Sequence, residues 1–305
     1  MKRKKTLDSF ATLAMTTLCA LWGLQQVAIK IAITEIPPIW QSGIRSLGAT
    51  ILMGIWIVFA KKRWTTGLLG AGVAVGVLFA LEFGLLYFAL AHTDAARAVL
   101  LLYTAPFVVA VGAHFWIRGD RLSLAGWFGV FLAFLGTVIV MQASLALESK
   151  RFVGDICALG AGITWGLTTL VVRTTKLSIA APSQTLFFQL AVSGFLLCLV
   201  ALVFEGGFSA PNTTVTWTSL AFQIIVIATL SYLAWFTLLT RYSATKLSVF
   251  TFLTPLFGAL AGIVFLGEHI DAHHLIALAL VICGIVIVNS YGHIQVDGEI
   301  HAEND

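Results

Sequence analysis

Three observations predict an all-α, polytopic membrane protein of ten transmembrane helices, arranged as two inverted five-helix repeats. Of 305 residues, 59% are hydrophobic and 10% charged, with a mean hydropathy of +0.97, too apolar for one or two soluble domains. Ten apolar stretches of about 20 residues can be placed, each long enough to cross about 30 Å of hydrocarbon. Finally, the chain repeats itself: Trp22-Gly23-Leu24 returns as Trp165-Gly166-Leu167, and the same offset of 143 relates Arg173 to Lys30 and Gln184 to Gln41. The offset becomes 149 for Lys246 against Arg97 and Pro255 against Pro106, because the second copy has a longer loop, 205–216. Five crossings per copy turn the second copy upside down, which is a transporter signature.

In order, the spans are 10–29, 39–59, 67–90, 98–117 and 122–141 in a first repeat covering 1–147, then 156–172, 184–204, 217–240, 247–266 and 272–290 in a second covering 148–291. They must be helices. Irregular backbone facing lipid would leave N–H and C=O groups unpaired at several kcal/mol each, and the runs lack the alternation of barrel strands. The first span exceeds a typical signal-peptide core and no small-residue cleavage pattern follows, so it is read as uncleaved. Residues 292–305 are polar and acidic without periodicity, and are expected to be a disordered cytoplasmic tail.

Orientation follows from Lys and Arg. With the N-terminus inside, Lys2, Arg3, Lys4, Lys5, Lys61, Lys62, Arg63, Arg118, Arg121, Arg173, Lys176, Arg241 and Lys246 are cytoplasmic, against Lys30, Arg97, Lys150 and Arg151 outside. Thirteen against four satisfies the positive-inside rule in both halves and predicts two cytoplasmic termini in a cell inner membrane. The net charge of +4 thus reports topology. No basic run interleaved with aromatics suggests nucleic acid, while the tail Lys2–Lys5 suits anionic lipid.

Trp40, Trp56, Trp64, Trp116, Trp127 and Trp217 fall near span ends, as interfacial anchors do. Trp22 and Trp165 fall mid-span. Each heads a polar face at i, i+3, i+4: Gln25 and Gln26 in one copy, Thr168 and Thr169 in the other. A Gln amide facing lipid would be unsatisfied, so these groups look toward other helices or a cavity. Both readings stay open.

Glu82 is the one carboxylate deep within a span. Ionised beside lipid it would cost roughly 2.5 to 3.5 kcal/mol on insertion scales, so a partner, a wet cavity or a bound proton is expected. Its counterpart at offset 149 is Ser231, so the symmetry breaks here. Roles in substrate or proton binding stand beside purely structural ones, an ion pair with Arg45 or a hydrogen-bonded neutral acid. Tyr103 and His114 share the fourth span with Pro106, which Pro255 repeats in the ninth; a mid-span proline frees a carbonyl and bends its helix, a hinge beside a cavity. Tyr232 and Trp235 flank Ser231 and could equally be pocket or packing groups. Gly72 with Gly76, Gly162 with Gly166 and Gly258 with Gly262 have the small-xxx-small spacing of close helix contacts.

Cys19, Cys157, Cys198 and Cys283 lie within spans without metal-ligand spacing and read as packing residues. His269, Asp271, His273 and His274 are legitimate zinc ligands, yet their setting between the last two spans reads as a solvated outer loop. There is no HExxH, GxSxG or GxxxxGK signature, hence no expected catalytic residue, cofactor, metal or direct use of ATP.

The chain resembles the ten-helix EamA type of the drug/metabolite transporter superfamily over nearly its whole length. The resemblance is carried by Leu21-Trp22-Gly23 with Lys30, Tyr103-Thr104-Ala105-Pro106, Gly119-Asp120, Trp165-Gly166 with Arg173, Leu253-Thr254-Pro255, and Gly267-Glu268. It implies alternating-access export or import of small metabolites from a central cavity between the halves. The expected function is a secondary transporter, an exporter of a small organic solute, with proton coupling and a homodimer left open. An integral-membrane enzyme would need catalytic groups at one depth, and a sensor or scaffold would append a soluble domain. Neither feature is visible.

Overall fold

The structure, a computed structural model, describes residues 7–61, 64–92, 95–117, 120–140, 152–266 and 272–291. Among them the chain is helical without strands. The helices are α1 (Ser9–Ala32), α2 (Pro38–Phe59), α3 (Leu69–His92), α4 (Ala95–Leu102), α5 (Ala105–Trp116), α6 (Leu124–Val140), α7 (Phe152–Thr174), α8 (Pro182–Phe204), α9 (Thr214–Phe222), α10 (Tyr232–Arg241), α11 (Ala244–Phe250), α12 (Thr254–Leu266) and α13 (Ala272–Tyr291). Among the described residues, seven stretches are long and apolar enough to cross a membrane; Leu124–Ile139 and Leu275–Tyr291 are shorter apolar helices.

Local chemistry sets the boundaries. The Asp8 carboxylate caps α1 by accepting from the Ala11 amide at 2.9 Å. Pro38 opens α2 where a missing N–H costs nothing, and the next two amides, of Ile39 and Trp40, each donate to the Glu205 carboxylate at 2.9 Å. The eighth sequence span is a continuous rod in which the π-helical stretch Gln223–Ser231 joins α9 to α10. In it the Thr229 hydroxyl donates to the Ile224 carbonyl five residues back, at 2.8 Å.

The fourth and ninth spans are each two helices. Tyr103-Thr104 separates α4 from α5, and the 3-10 turn Thr251–Leu253 separates α11 from α12. Pro106 and Pro255 are the second residues of the helices that restart, in the first turn, where no N–H has an intrahelical partner. The expected mid-span kink is therefore a helix restart, repeated at one offset in both halves.

Two layers of contact hold the bundle. α2 packs along α8, α3 along α7 and α8, and α6 along α13, while α1 meets α12 and α5 meets α7. Close approach uses glycine. A Cβ on Gly166 would sit 2.5 Å from Val108 Cβ, and one on Gly162 2.7 Å from the Leu102 carbonyl; Gly72 and Gly76 meet Phe188 and Val192 in the same way. Gly258 differs from the expectation, because a Cβ there meets nothing within 4 Å. It is Gly23 whose missing side chain admits the Gly258 backbone, at 2.9 Å. Cys198 packs on Gly43, and Cys283 is exposed.

Hydrogen bonds define the two ends of the bundle. At one, Asp120 accepts from the Ser243 hydroxyl and the Ala244 amide, and its carboxylate lies 4.0 Å from the Arg173 guanidinium, which also donates to the Leu239 carbonyl at 2.5 Å. Nearby, Tyr242 donates to Asp8 at 2.8 Å and Lys246 to the Asn289 carbonyl at 2.6 Å. At the other end Glu205 holds α2, Glu35 accepts from Asn212 and Thr213, and Ser219 donates to the Ala28 carbonyl. Hence α1 begins and α7 ends at the Asp120 end, so these counterparts run in opposite directions. His269, Asp271 and the 292–305 tail lie outside the described residues.

Candidate functional site

A cavity of about 710 Å³, counting space open to solvent, lies between α1, α3, α7, α8 and α10, beside the break between α4 and α5. Ten of the eleven residues expected to contact substrate line it: Trp22, Gln25, Gln26, Glu82, Tyr103, Trp165, Thr168, Thr169, Tyr232 and Trp235. Helical spacing brings each group inward. Trp22, Gln25 and Gln26 share one face of α1, and Trp165, Thr168 and Thr169 the matching face of α7. The Thr168 and Thr169 hydroxyls donate to the Thr164 and Trp165 carbonyls at 2.9 and 3.4 Å, so their protons are used and their lone pairs remain.

One wall is an aromatic cluster. The Trp22 ring meets Trp235 edge-on with centroids 5.7 Å apart and Tyr232 at 6.4 Å, and Tyr232 in turn meets Phe79 at 5.8 Å. Across the cavity Tyr103, at the break between α4 and α5, stands perpendicular to Trp165 at 5.6 Å. The break lets Tyr103 approach α7, since Gly162 and Gly166 give that helix a flat flank against Leu102 and Val108.

Ser231, the eleventh expected residue, does not line the cavity. It lies behind Trp22 and accepts the indole N–H at 2.9 Å while donating to the Ile227 carbonyl at 2.6 Å. Its contribution is to orient the indole. Pro106 and Pro255 also lie off the cavity wall, at the helix restarts.

Glu82 is the carboxylate among the described lining residues, 6% exposed, and its Oε2 has no hydrogen-bond partner. The anticipated ion pair with Arg45 is not formed: all three guanidinium nitrogens lack a hydrogen-bond partner, and the group lies over the Phe83 ring with its carbon 3.9 Å from the centroid. Opposite, on α8, Gln189 lines the cavity with Oε1 unpartnered. Aromatic faces, one carboxylate, three glutamines and two threonines suit reversible holding of a small polar organic solute.

The EamA-like transporter family matches residues 9–142 and, a second time, 152–290. The chain belongs to that family. As an EamA-like transporter it is a multi-pass membrane protein. It is 27% identical over 303 residues to a Salmonella typhimurium protein named "probable amino-acid metabolite efflux pump", covering 96% of each chain. It is 24% identical to the uncharacterised transporter YoaV of Bacillus subtilis, covering 90% of this chain and 94% of that one. A solved crystal structure shares the fold with a TM-score of 0.77 at 20% identity, over 92% of this chain and 96% of its own.

Sequence reasoning missed several wall residues of this EamA-like chain: Phe79, Phe83, Leu86, Leu102, Gln189 and Phe236. Five are apolar and indistinguishable by type from lipid-facing neighbours. Gln189 carried a signal, being an amide inside the seventh span, where lipid would leave it unsatisfied.

Proposed function

We propose that this transporter exports a small amino-acid-related metabolite from the cytoplasm by alternating access around the cavity. The observation carrying this is the joint placement of Glu82, Gln25 and Gln189 among aromatic walls inside the bundle. That chemistry binds an ammonium or amide-bearing solute more readily than a hydrocarbon. The name of the Salmonella relative supports the substrate class. The doubled family match and the opposed directions of α1 and α7 support division into 1–147 and 148–291 as inverted repeats that rock against each other. The Lys and Arg bias supports cytoplasmic termini in an inner membrane.

Glu82 is also the cavity group able to carry a coupling proton. The test is uptake and efflux in proteoliposomes against a metabolite panel that includes amino acids, with and without a pH gradient. Counterflow of at least one amino-acid-related solute is expected, faster with the gradient if protons are coupled. Vesicles that move none of the panel above protein-free controls would sink the reading.

A further inference from the structure

Arg45 is fully buried in the second span, and Nε and both terminal nitrogens have no hydrogen-bond partner. On the same helix, the hydroxyls of Ser42, one turn earlier, and of Ser46, the next residue, are also buried and unpartnered. Glu82 has its own orphaned oxygen on the neighbouring α3. The guanidinium and the carboxyl thus stand on neighbouring helices inside the bundle without bonding to each other. Phe83, which lies over the guanidinium, is itself in the cavity wall, so Arg45 stands one side chain behind the surface that Glu82 reaches.

Unpaired buried charges are expensive, and a fold that needed them for packing would bring them together. The second repeat shows that packing does not need them. At the same offsets that relate the rest of the copies, Arg45 corresponds to Phe188 and Glu82 to Ser231. Both charges are specific to the first half, and both are lost together in the second.

Resting on the transporter reading above, we infer that Arg45, with Ser42, and Glu82 form a two-pole site for a zwitterion. The carboxylate of an α-amino acid takes the guanidinium once the Phe83 ring swings aside, and its ammonium, two bonds away, takes Glu82. A guanidinium presents a fork of donors matched to a carboxylate, and the Ser42 hydroxyl, on the same face of α2, can donate to the same oxygens. The side chain of the ligand then rests on the aromatic walls. A simple cation would leave Arg45 uncompensated, and a simple anion would leave Glu82 so.

The test uses the full chain purified in detergent, with thermal shift and tracer competition against each of the twenty L-α-amino acids, its methyl ester and its N-acetyl derivative. The ester removes the negative pole and acetylation the positive one. For the tightest amino acid, wild-type protein should bind each derivative about tenfold or more weakly. In Arg45→Gln the free amino acid should fall to the level of its ester while the ester itself changes little, and Glu82→Gln should do the same for the acetyl derivative. That pattern is a double-mutant cycle that loss of packing would not produce. The wild-type comparison alone is decisive should Arg45→Gln fail to fold. Equal binding of an amino acid and its ester, or preference for singly charged solutes, overturns the two-pole site while leaving transport standing; a protein that binds and moves nothing overturns both.

Discussion

The Trp22 indole N–H donates to the Ser231 hydroxyl at 2.9 Å, joining the first half of the chain to the second across the back of the cavity. Ser231 donates its own hydroxyl to the Ile227 carbonyl within the π-helical stretch, so the wider turn of that rod sets where the indole stands. The position that lost an acid relative to Glu82 gained a structural duty.

Ser231→Ala should therefore loosen Trp22 without emptying the cavity. An N–H left unpaired between helices costs about 0.6 kcal/mol on average and up to about 1.7 in membrane double-mutant cycles, so the melting temperature in detergent should fall modestly. Substrate affinity should fall further than that, because the indole edge meets Tyr232 and Trp235. Unchanged Trp fluorescence and affinity would show that the aromatic contacts alone hold the ring.

Two glycine substitutions separate close contact from open space. A Cβ on Gly284 of α13 would lie 2.5 Å from the Gly129 carbonyl and 2.7 Å from the Ala133 amide, backbone atoms that cannot step aside. Gly284→Ala should cost about 1 to 3 kcal/mol by overpacking. Gly258→Ala meets nothing within 4 Å and should be neutral, or up to about 1 kcal/mol stabilising by helix propensity. Melting curves of the pair check this, and equal destabilisation would contradict the packing.

Glu35, in the link between α1 and α2, is held by the Thr213 hydroxyl at 2.6 Å and by the Asn212 and Thr213 amides. These donors, the Thr213 hydroxyl foremost, keep its carboxyl below the usual carboxylate range. A depressed folded-state value contributes stability above the ordinary carboxylate pKa and loses it as pH falls through the folded value. Wild-type protein should lose melting temperature under acid conditions more steeply than Glu35→Gln, with the two curves parallel near neutral pH. Parallel curves throughout would refute this.

The helical class and the family were legible because hydropathy and an offset that shifts once, from 143 to 149, survive without any tertiary knowledge. The inward faces were legible too: Trp22 with Gln25 and Trp165 with Thr168 place polar groups where lipid would leave them unsatisfied. What sequence could not reveal was the division of labour at Ser231, since hydrogen-bonding direction depends on a π-helical register that a continuous apolar run such as Gln223–Ser231 conceals. Pro106 and Pro255 were visible as interruptions, but a kink and a restart share one sequence pattern and differ in whether the preceding turn stays helical. The apolar cavity wall was silent, because Phe79 and Phe83 look like any other membrane phenylalanine.

The contacts at the Asp120 end make the last prediction. Asp120 ties the link before α6 to Ser243 and Ala244 at the start of α11 and stands beside Arg173 of α7, so one carboxylate joins elements of both halves. Hydrogen bonds to a charged group contribute about 1.5 to 3 kcal/mol each, enough to bias a two-state opening by tenfold or more. Asp120→Asn keeps the shape and removes the charge, so it should favour opening at this end in particular. With Thr168→Cys as a reporter in the cavity wall, an impermeant thiol reagent added on the Asp120 side should label the Asp120→Asn variant several-fold faster than the protein that keeps the aspartate. Labelling from the Glu205 side should slow, since the two open states compete for one population. Rates unchanged from both sides would mean that Asp120 holds the fold together without controlling access.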